Sequence, residues 1–350
     1  MRPTLVAIVC LVTATALAAG KSPVLVYPCN RAAVAPKIDG RLADAAWKDA
    51  TLVSGFVTYD KHEMAVVQTA FRAVYDDSAL YIGVQCDEPL WQKLVVGTSG
   101  MRDDHAAVFR SEAIEIFVDP THDHTNYFQI AVNISGSIFD GRGADPSWNG
   151  TATAAGAVSE GQWALEARMP WADFGLKGVQ PGMVIGLNIC RDRNLGDKEW
   201  TTWSWVAANF HDPQRFGHIV LSGTPEMIGK LSNEFRKDGL DGPLQVFGPA
   251  GFSGTTYLAL AADSLKRMEA TLQELETLRG QEKSPEVAAA LEKRIAAARL
   301  AIAPIAEKVQ AQKPFDASEW LRTDMAIEKL RDELGKAVWE ARLDALLRSI

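Results

Sequence analysis

The sequence predicts an antiparallel β-sandwich followed by a C-terminal α-helical bundle or hairpin region, and three observations carry that expectation. Up to Gly223 the chain consists of short runs that alternate apolar and polar residues, separated by Gly and Asp turns, with no long amphipathic stretch. Residues 239–254 are then rich in Gly and Pro. Beyond them apolar residues recur at steps of three and four, the period of a helix with one buried stripe. Single cores rarely grow beyond about 250 to 300 residues, so a chain of 350 is expected to form two units. The divisions expected are a signal peptide over 1–20, a sandwich over 21–223, a linker over 224–254 and a three-helix region over 255–350.

Charge and targeting bound the function. The formal net charge of -8 leaves no basic stripe to displace counterions from phosphates, which argues against nucleic acid as a partner. Arg2, the apolar run 5–17 and the small-residue site Ala16-Leu17-Ala18 have the three parts of a secretory signal, with cleavage expected near 18–20. The apolar run is shorter than the roughly 20 residues that span a bilayer, so the mature form is read without a membrane span. A secreted, periplasmic or cell-surface protein follows. Cys10 belongs to the signal and shows no lipoprotein pattern. Cys29, Cys86 and Cys190 remain, enough for one disulfide and one free thiol, or for no pairing.

Taken in order, 21–36 is an extended lead-in. Residues 37–47, KIDGRLADAAW, read as a turn built by Asp39 and Gly40 and a helical turn that buries Trp47, a plug with structural residues only. Strands are expected at 52–59 and 68–75, then, after the Asp76-Asp77-Ser78 turn, at 80–86, where Cys86 continues the inward series Leu80, Ile82, Val84. The loop 87–105 holds Asp103, Asp104 and His105, and a structural calcium in this domain is consistent with its oxygen ligands. The segment 136–161 reads as irregular. Later strands are expected at 162–170, 184–191, around Trp203 and Trp205, and at 218–221.

The stretch 109–119, FRSEAIEIFVD, organises the rest. As a strand it sends Ile114, Ile116 and Val118 to one side and Ala113, Glu115, Phe117 and Asp119 to the other. A mid-strand carboxylate at Glu115, with Glu112 before it and the ring of Phe109 at its start, suits a face that receives a polar ligand. The alternative is a solvated Glu115 and a Phe109 packed on the sheet edge. The return strand 127–133 would add Gln129 and Asn133 to the same face, giving donors and acceptors for hydroxyl groups. Trp148, in DPSWNG, is either a platform for a sugar ring or a lid folded back on the core. His122 and His124 have the spacing of a metal-binding pair but read as solvated turn residues.

The three helical segments carry stripes such as Leu265, Met268, Leu272, Leu275 and Leu291, Ile295, Ala298, Ile302. They suggest a bundle that acts as a spacer, binds a protein partner or self-associates.

Seven stretches in order, IDGRLADAAW, YDDSALYIGVQCDE, EAIEIFVD, YFQIAVN, WALEARMPW, GLNICRDR and HDPQRFG, together resemble the family 9 carbohydrate-binding module over about residues 37–221. The resemblance implies a jelly-roll-like sandwich that clasps an oligosaccharide or polysaccharide end between two aromatic rings, in support of extracellular carbohydrate catabolism. It places the rings at Phe109 and Phe210, both smaller than the tryptophans of the family's sugar binders, and makes Glu115 an acceptor for sugar hydroxyls. Where those binders carry an Arg on the return strand, this chain has Ala131, a departure at the position tied to reducing ends. No cofactor is implied beyond the calcium already considered.

Three other classes compete. A glycoside hydrolase needs two carboxylates across a cleft, for which Glu112, Glu115 and Glu166 are available, but no second catalytic domain is legible. A haem-binding subunit on a similar sandwich needs axial ligands such as Met101, and the chain has no CxxCH motif. A purely structural scaffold would leave any function to the helices.

Overall fold

The computed structural model describes residues 21–97 and 107–347. Residues 1–20, expected as a signal peptide, and Met101, Asp103, Asp104 and His105 lie outside the described residues. Two compact units divide the chain between Gly248 and Pro249.

The first unit is mostly sheet. Its principal strands are β1 (Val24–Arg31), β4 (Thr69–Tyr75), β5 (Ala79–Asp87), β6 (Ala113–Asp119), β7 (Phe128–Asn133), β8 (Ile138–Arg142), β9 (Thr153–Ser159), β10 (Gln162–Pro170), β11 (Val184–Arg193) and β13 (Gly217–Leu221), and they follow one hydrogen-bonded path. The order is β8-β7-β6-β11-β13-β1-β4-β5-β10-β9. Its two ends, β8 and β9, are consecutive in the chain, so the sheet nearly closes on itself. Shorter strands flank the path: β2 (Val53–Ser54) pairs with β4, and β12 (Glu199–Thr202) pairs with both β11 and β3 (Val57–Thr58).

The expected antiparallel pairing holds except at β1, which runs parallel to β13 and to β4. The reason is visible in its register: residues 26–29 pair with β13 and residues 30–31 with β4, so one strand passes from one neighbour to the other and carries the sheet round. Residues 224–254, expected as a linker, contain structure. Here Pro225–Lys230 forms a helix capped by Thr224, and β14 (Leu244–Gly248) pairs in parallel with β1. Phe235 is buried there with Val24, Val26, Val220 and Ile228, an apolar anchor that composition alone hides. The segment read as irregular contains β8 and β9. Glycine makes β9 possible, because a Cβ at Gly156 would lie 2.2 Å from the carbonyl oxygen of Ile134. Trp203 and Trp205 fall beyond the end of β12 rather than within a strand.

The plug is held by one buried side chain. Glu166 on β10 accepts the backbone N–H groups of Asp39 (2.8 Å), Gly40 (2.7 Å) and Leu42 (3.0 Å) and the indole N–H of Trp47 (2.8 Å). A second network ties β5 to β11: Arg191 donates to Glu88 and Glu112, and Arg193 donates to both oxygens of Glu88. Cys29, Cys86 and Cys190 are all buried and free.

In the second unit three helices, Tyr257–Gln281, Pro285–Gln310 and Ala317–Leu347, bury the expected stripes against one another. No helix among the described residues is long and apolar enough to cross a membrane.

Candidate functional site

Strand β6 positions the site. All seven of its residues are buried, which corrects the expectation of a half-open face: the side bearing Ala113, Glu115 and Phe117 is covered by a second layer. The helical turn 107–110 brings Val108 and Phe109 onto Ala113 and Ala131, joined by Phe139 of β8. Further along, Phe117 packs with Tyr127, Cys190, Phe216 and Phe210. Between these two clusters the layer leaves a gap.

That gap is a cavity of about 510 Å³ lined by Phe109, Glu115, Tyr127, Gln129, Phe139, Asn209, His211 and the turn from Gly141 to Pro146. Its size lies within the usual range of about 300–1,000 Å³ for small-molecule sites. Phe109 and Phe139 form one wall, their rings edge to face with centroids 5.2 Å apart. Opposite them the Tyr127 hydroxyl meets Nδ1 of His211 at 2.9 Å. The floor is polar: the Gln129 amide donates to Glu115, and both residues are 6% exposed. Burial raises the Tyr127 hydroxyl and lowers the His211 imidazole from their ordinary values, so both are neutral near pH 7.

Asp192 of β11 shares this face of the sheet and stands diagonally across from Glu115, whose direct partner on β11 is Cys190. Burial, followed by the neighbouring Asp192 charge, pushes the Glu115 carboxyl well above the usual range. Burial likewise lifts Asp192 to about 6. Both shifts favour the protonated acids, because burial penalises each charge and two neighbouring carboxylates disfavour joint ionisation.

The structure brings together three of the residues expected from sequence, Phe109, Glu115 and Gln129. Glu112 is elsewhere: it is buried in the Arg191 network and accepts the backbone N–H groups of Asn194 and Leu195. Asn133 turns into its own hairpin, where Oδ1 accepts from Ser135 and Ser137. Trp148 packs on Phe128 at 4.8 Å, on the side of β7 facing away from Gln129, and is therefore the lid on the core. Phe210 is half-buried against Tyr59 and the Phe117 cluster, while its neighbours Asn209 and His211 line the cavity. Phe139 and Tyr127 were absent from the expected set. Tyr127 alternates with Gln129 and was legible in principle; Phe139 lay in the segment taken as irregular. Ala131, opposite Glu115, is wholly buried.

His122 and His124, expected in solvent, are 4% and 6% exposed. His122 meets His218 at 2.8 Å, His124 at 3.2 Å and Glu234 at 3.0 Å, because the turn folds back under the segment that follows β13. Burial lowers the His122 imidazole, and burial with its neighbours takes His218 to about 3. Among the described residues no group of three or more His, Cys, Asp or Glu side chains is arranged to hold a metal ion.

A family model described as carbohydrate family 9 binding domain-like matches residues 38–224. Exoglucanase XynX of Acetivibrio thermocellus is 25% identical over 210 residues, which are 57% of this chain and 18% of that protein. The chain thus spans under a fifth of the length of this curated relative. Similar solved structures include a family 9 carbohydrate-binding module from Caldicellulosiruptor kristjanssonii in complex with cellotriose, 17% identical, covering 57% of this chain and 95% of that one with a TM-score of 0.43. Another, in complex with glucose, is 18% identical, covering 57% and 97%, with a TM-score of 0.43.

Proposed function

Because the chain belongs to the carbohydrate family 9 binding domain-like family, we propose that it is a non-catalytic protein that binds an oligosaccharide in the cavity over β6. The observation that carries the reading is the pairing of an aromatic wall, Phe109 and Phe139, with the polar floor of Glu115 and Gln129. A pyranose has apolar CH faces and a rim of hydroxyls. The rings would bury the first, and the carboxyl and amide would bond the second. Asn209, His211 and Asp145 at the edge supply further partners.

Binding without cleavage is favoured by how the acids are used. Hydrolysis of a glycoside requires two carboxyls about 5 Å or more apart on either side of the bond. Glu115 and Asp192 instead stand side by side on one face of adjacent strands, and Glu112 and Glu166 are spent on internal donors. The likeness to part of an exoglucanase supports a place beside polysaccharide breakdown outside the cell, with the cleavage done by other domains or proteins.

The test is calorimetric titration of the full chain with cellotriose and a panel of other neutral oligosaccharides, alongside Phe109→Ala and Phe139→Ala. Each truncation is expected to weaken binding about tenfold, from the loss of roughly 1.5 kcal/mol of ring burial. A folded chain that takes up no glycan in the panel overturns the reading.

A further inference from the structure

Building on that reading of the cavity, we propose that its preferred ligand is a cationic amino sugar, a glucosamine-type oligosaccharide whose ammonium group sits against the Glu115–Asp192 carboxyl pair. The argument is one of charge balance at named positions. Glu115 lines the cavity, and the β6–β11 register sets Asp192 beside it on the same face. Directly across β7 stands Ala131 and directly across β11 stands Cys190, so neither neighbouring strand offers a cation. Gln129 offers only an amide.

The remaining groups around the pair do not neutralise it. On β6 itself Asp119 accepts from the backbone of His124. On β11 Asn188 is engaged with Thr202 and Ser204. From the loop, His211 is bonded to Tyr127, and the aromatic wall presents Phe109 and Phe139. Arg191 and Arg193 flank Asp192 in sequence, but alternation sends them to the other face of β11, where Glu88 and Glu112 hold them. Glu112 adds negative potential to Asp192. The second carboxyl of the lining is Asp145.

The described lining therefore holds two carboxyls and no Lys or Arg. Negative charge on Glu115 or its neighbour Asp192 meets no basic side chain in that lining, and burying a charge without a counter-ion is costly. An ammonium on the ligand supplies that counter-ion and a charge-assisted hydrogen bond. Neutral sugars offer only hydroxyls, and a uronic acid would bring a like charge.

The experiment is titration of the full chain, near neutral pH, with a fully deacetylated glucosamine trimer, cellotriose and a galacturonate trimer. The expected order is amino sugar, then neutral, then acidic, with about tenfold between the first two, the worth of one charge-assisted bond. In the double variant Glu115→Gln, Asp192→Asn the ratio of amino to neutral affinity should fall to about one. Equal or weaker binding of the amino sugar, with cellotriose bound, overturns this inference and leaves the glycan reading standing. A ratio unchanged in the folded double variant also overturns it. Should that variant fail to fold, the order of the three ligands on the unaltered chain still decides. Failure of all three to bind overturns the glycan reading itself.

Discussion

Replacing Glu166 by glutamine alters one atom pair in the interior of the first unit and should loosen the whole N-terminal plug. The carboxylate is 0% exposed and each of its oxygens receives two donors: Asp39 and Gly40 on one, Leu42 and the Trp47 indole on the other. Glutamine keeps the size but turns one oxygen into an NH₂ group. Whichever oxygen is lost, two N–H groups then face a donor. Hydrogen bonds to a charged acceptor are worth about 1.5–3 kcal/mol each, so losing two costs at least about 3 kcal/mol. For a unit of this size each kcal/mol moves the midpoint by roughly 2–4 °C, giving a fall of about 6–12 °C. Thermal unfolding followed by near-ultraviolet circular dichroism, which reports on the packed Trp47, measures it. Glu160→Gln, the same change at an exposed position, should stay within about 0.5 kcal/mol and serves as the control. A Glu166→Gln midpoint within about 2 °C of the unaltered chain would refute the assignment of the plug to this carboxylate.

Other outcomes follow from the same structure. The Glu115–Asp192 pair holds protons in the folded chain that the unfolded chain has released, so this pair's contribution to stability is present below about pH 4 and declines as pH rises through about 6. Urea midpoints across that range should fall less steeply with pH in the Glu115→Gln, Asp192→Asn variant; an equal slope contradicts the upward shift of the two acids. Gly156→Ala would force its Cβ onto the Ile134 carbonyl and should cost about 1–3 kcal/mol, read from the urea midpoint of the first unit. In the helical unit Asp324, 4% exposed, accepts from Ser264 and Arg267. Asp324→Ala should cost that unit about 1.5–3 kcal/mol, measured as loss of helical signal at lower temperature.

Much of the fold was legible because strand and helix periods are local. The alternation in β5, β6, β10 and β11 and the three-and-four stripes of the helices put the right residues inside. What escaped depends on partners distant in sequence. Strand β8 is only five residues long, and β9, rich in Ala with Gly and Thr, declares itself only when Gly156 is seen against Ile134. Parallel pairing of β1 needs two neighbours that lie far along the chain, and the anchoring of residues 224–248 rests on Phe235 and Ile228, scattered apolar residues. His122 and His124 looked solvated because the turn is polar, and nothing in it announces that Glu234 will close over them.

For the site, period two identified the face but not what lies above it. Glu115 and Gln129 share the face with Glu112 and Asn133 nearby, and all four are polar, so sequence treats them alike. Structure separates them by which donors reach each one. Glu112 is met by Arg191 and two loop amides, and Asn133 by the amides of its own turn, which leaves Glu115 and Gln129 facing the cavity. The motifs that identify the family are largely of the structural kind: the acids of LEAR and CDE and the arginines of CRDR are consumed in holding the plug to β10 and β5 to β11. Family motifs therefore report mainly the scaffold; of the residues that would choose a ligand they contain Glu115, Asp192 and His211, while Phe139 and Asp145 lie where the motifs are silent.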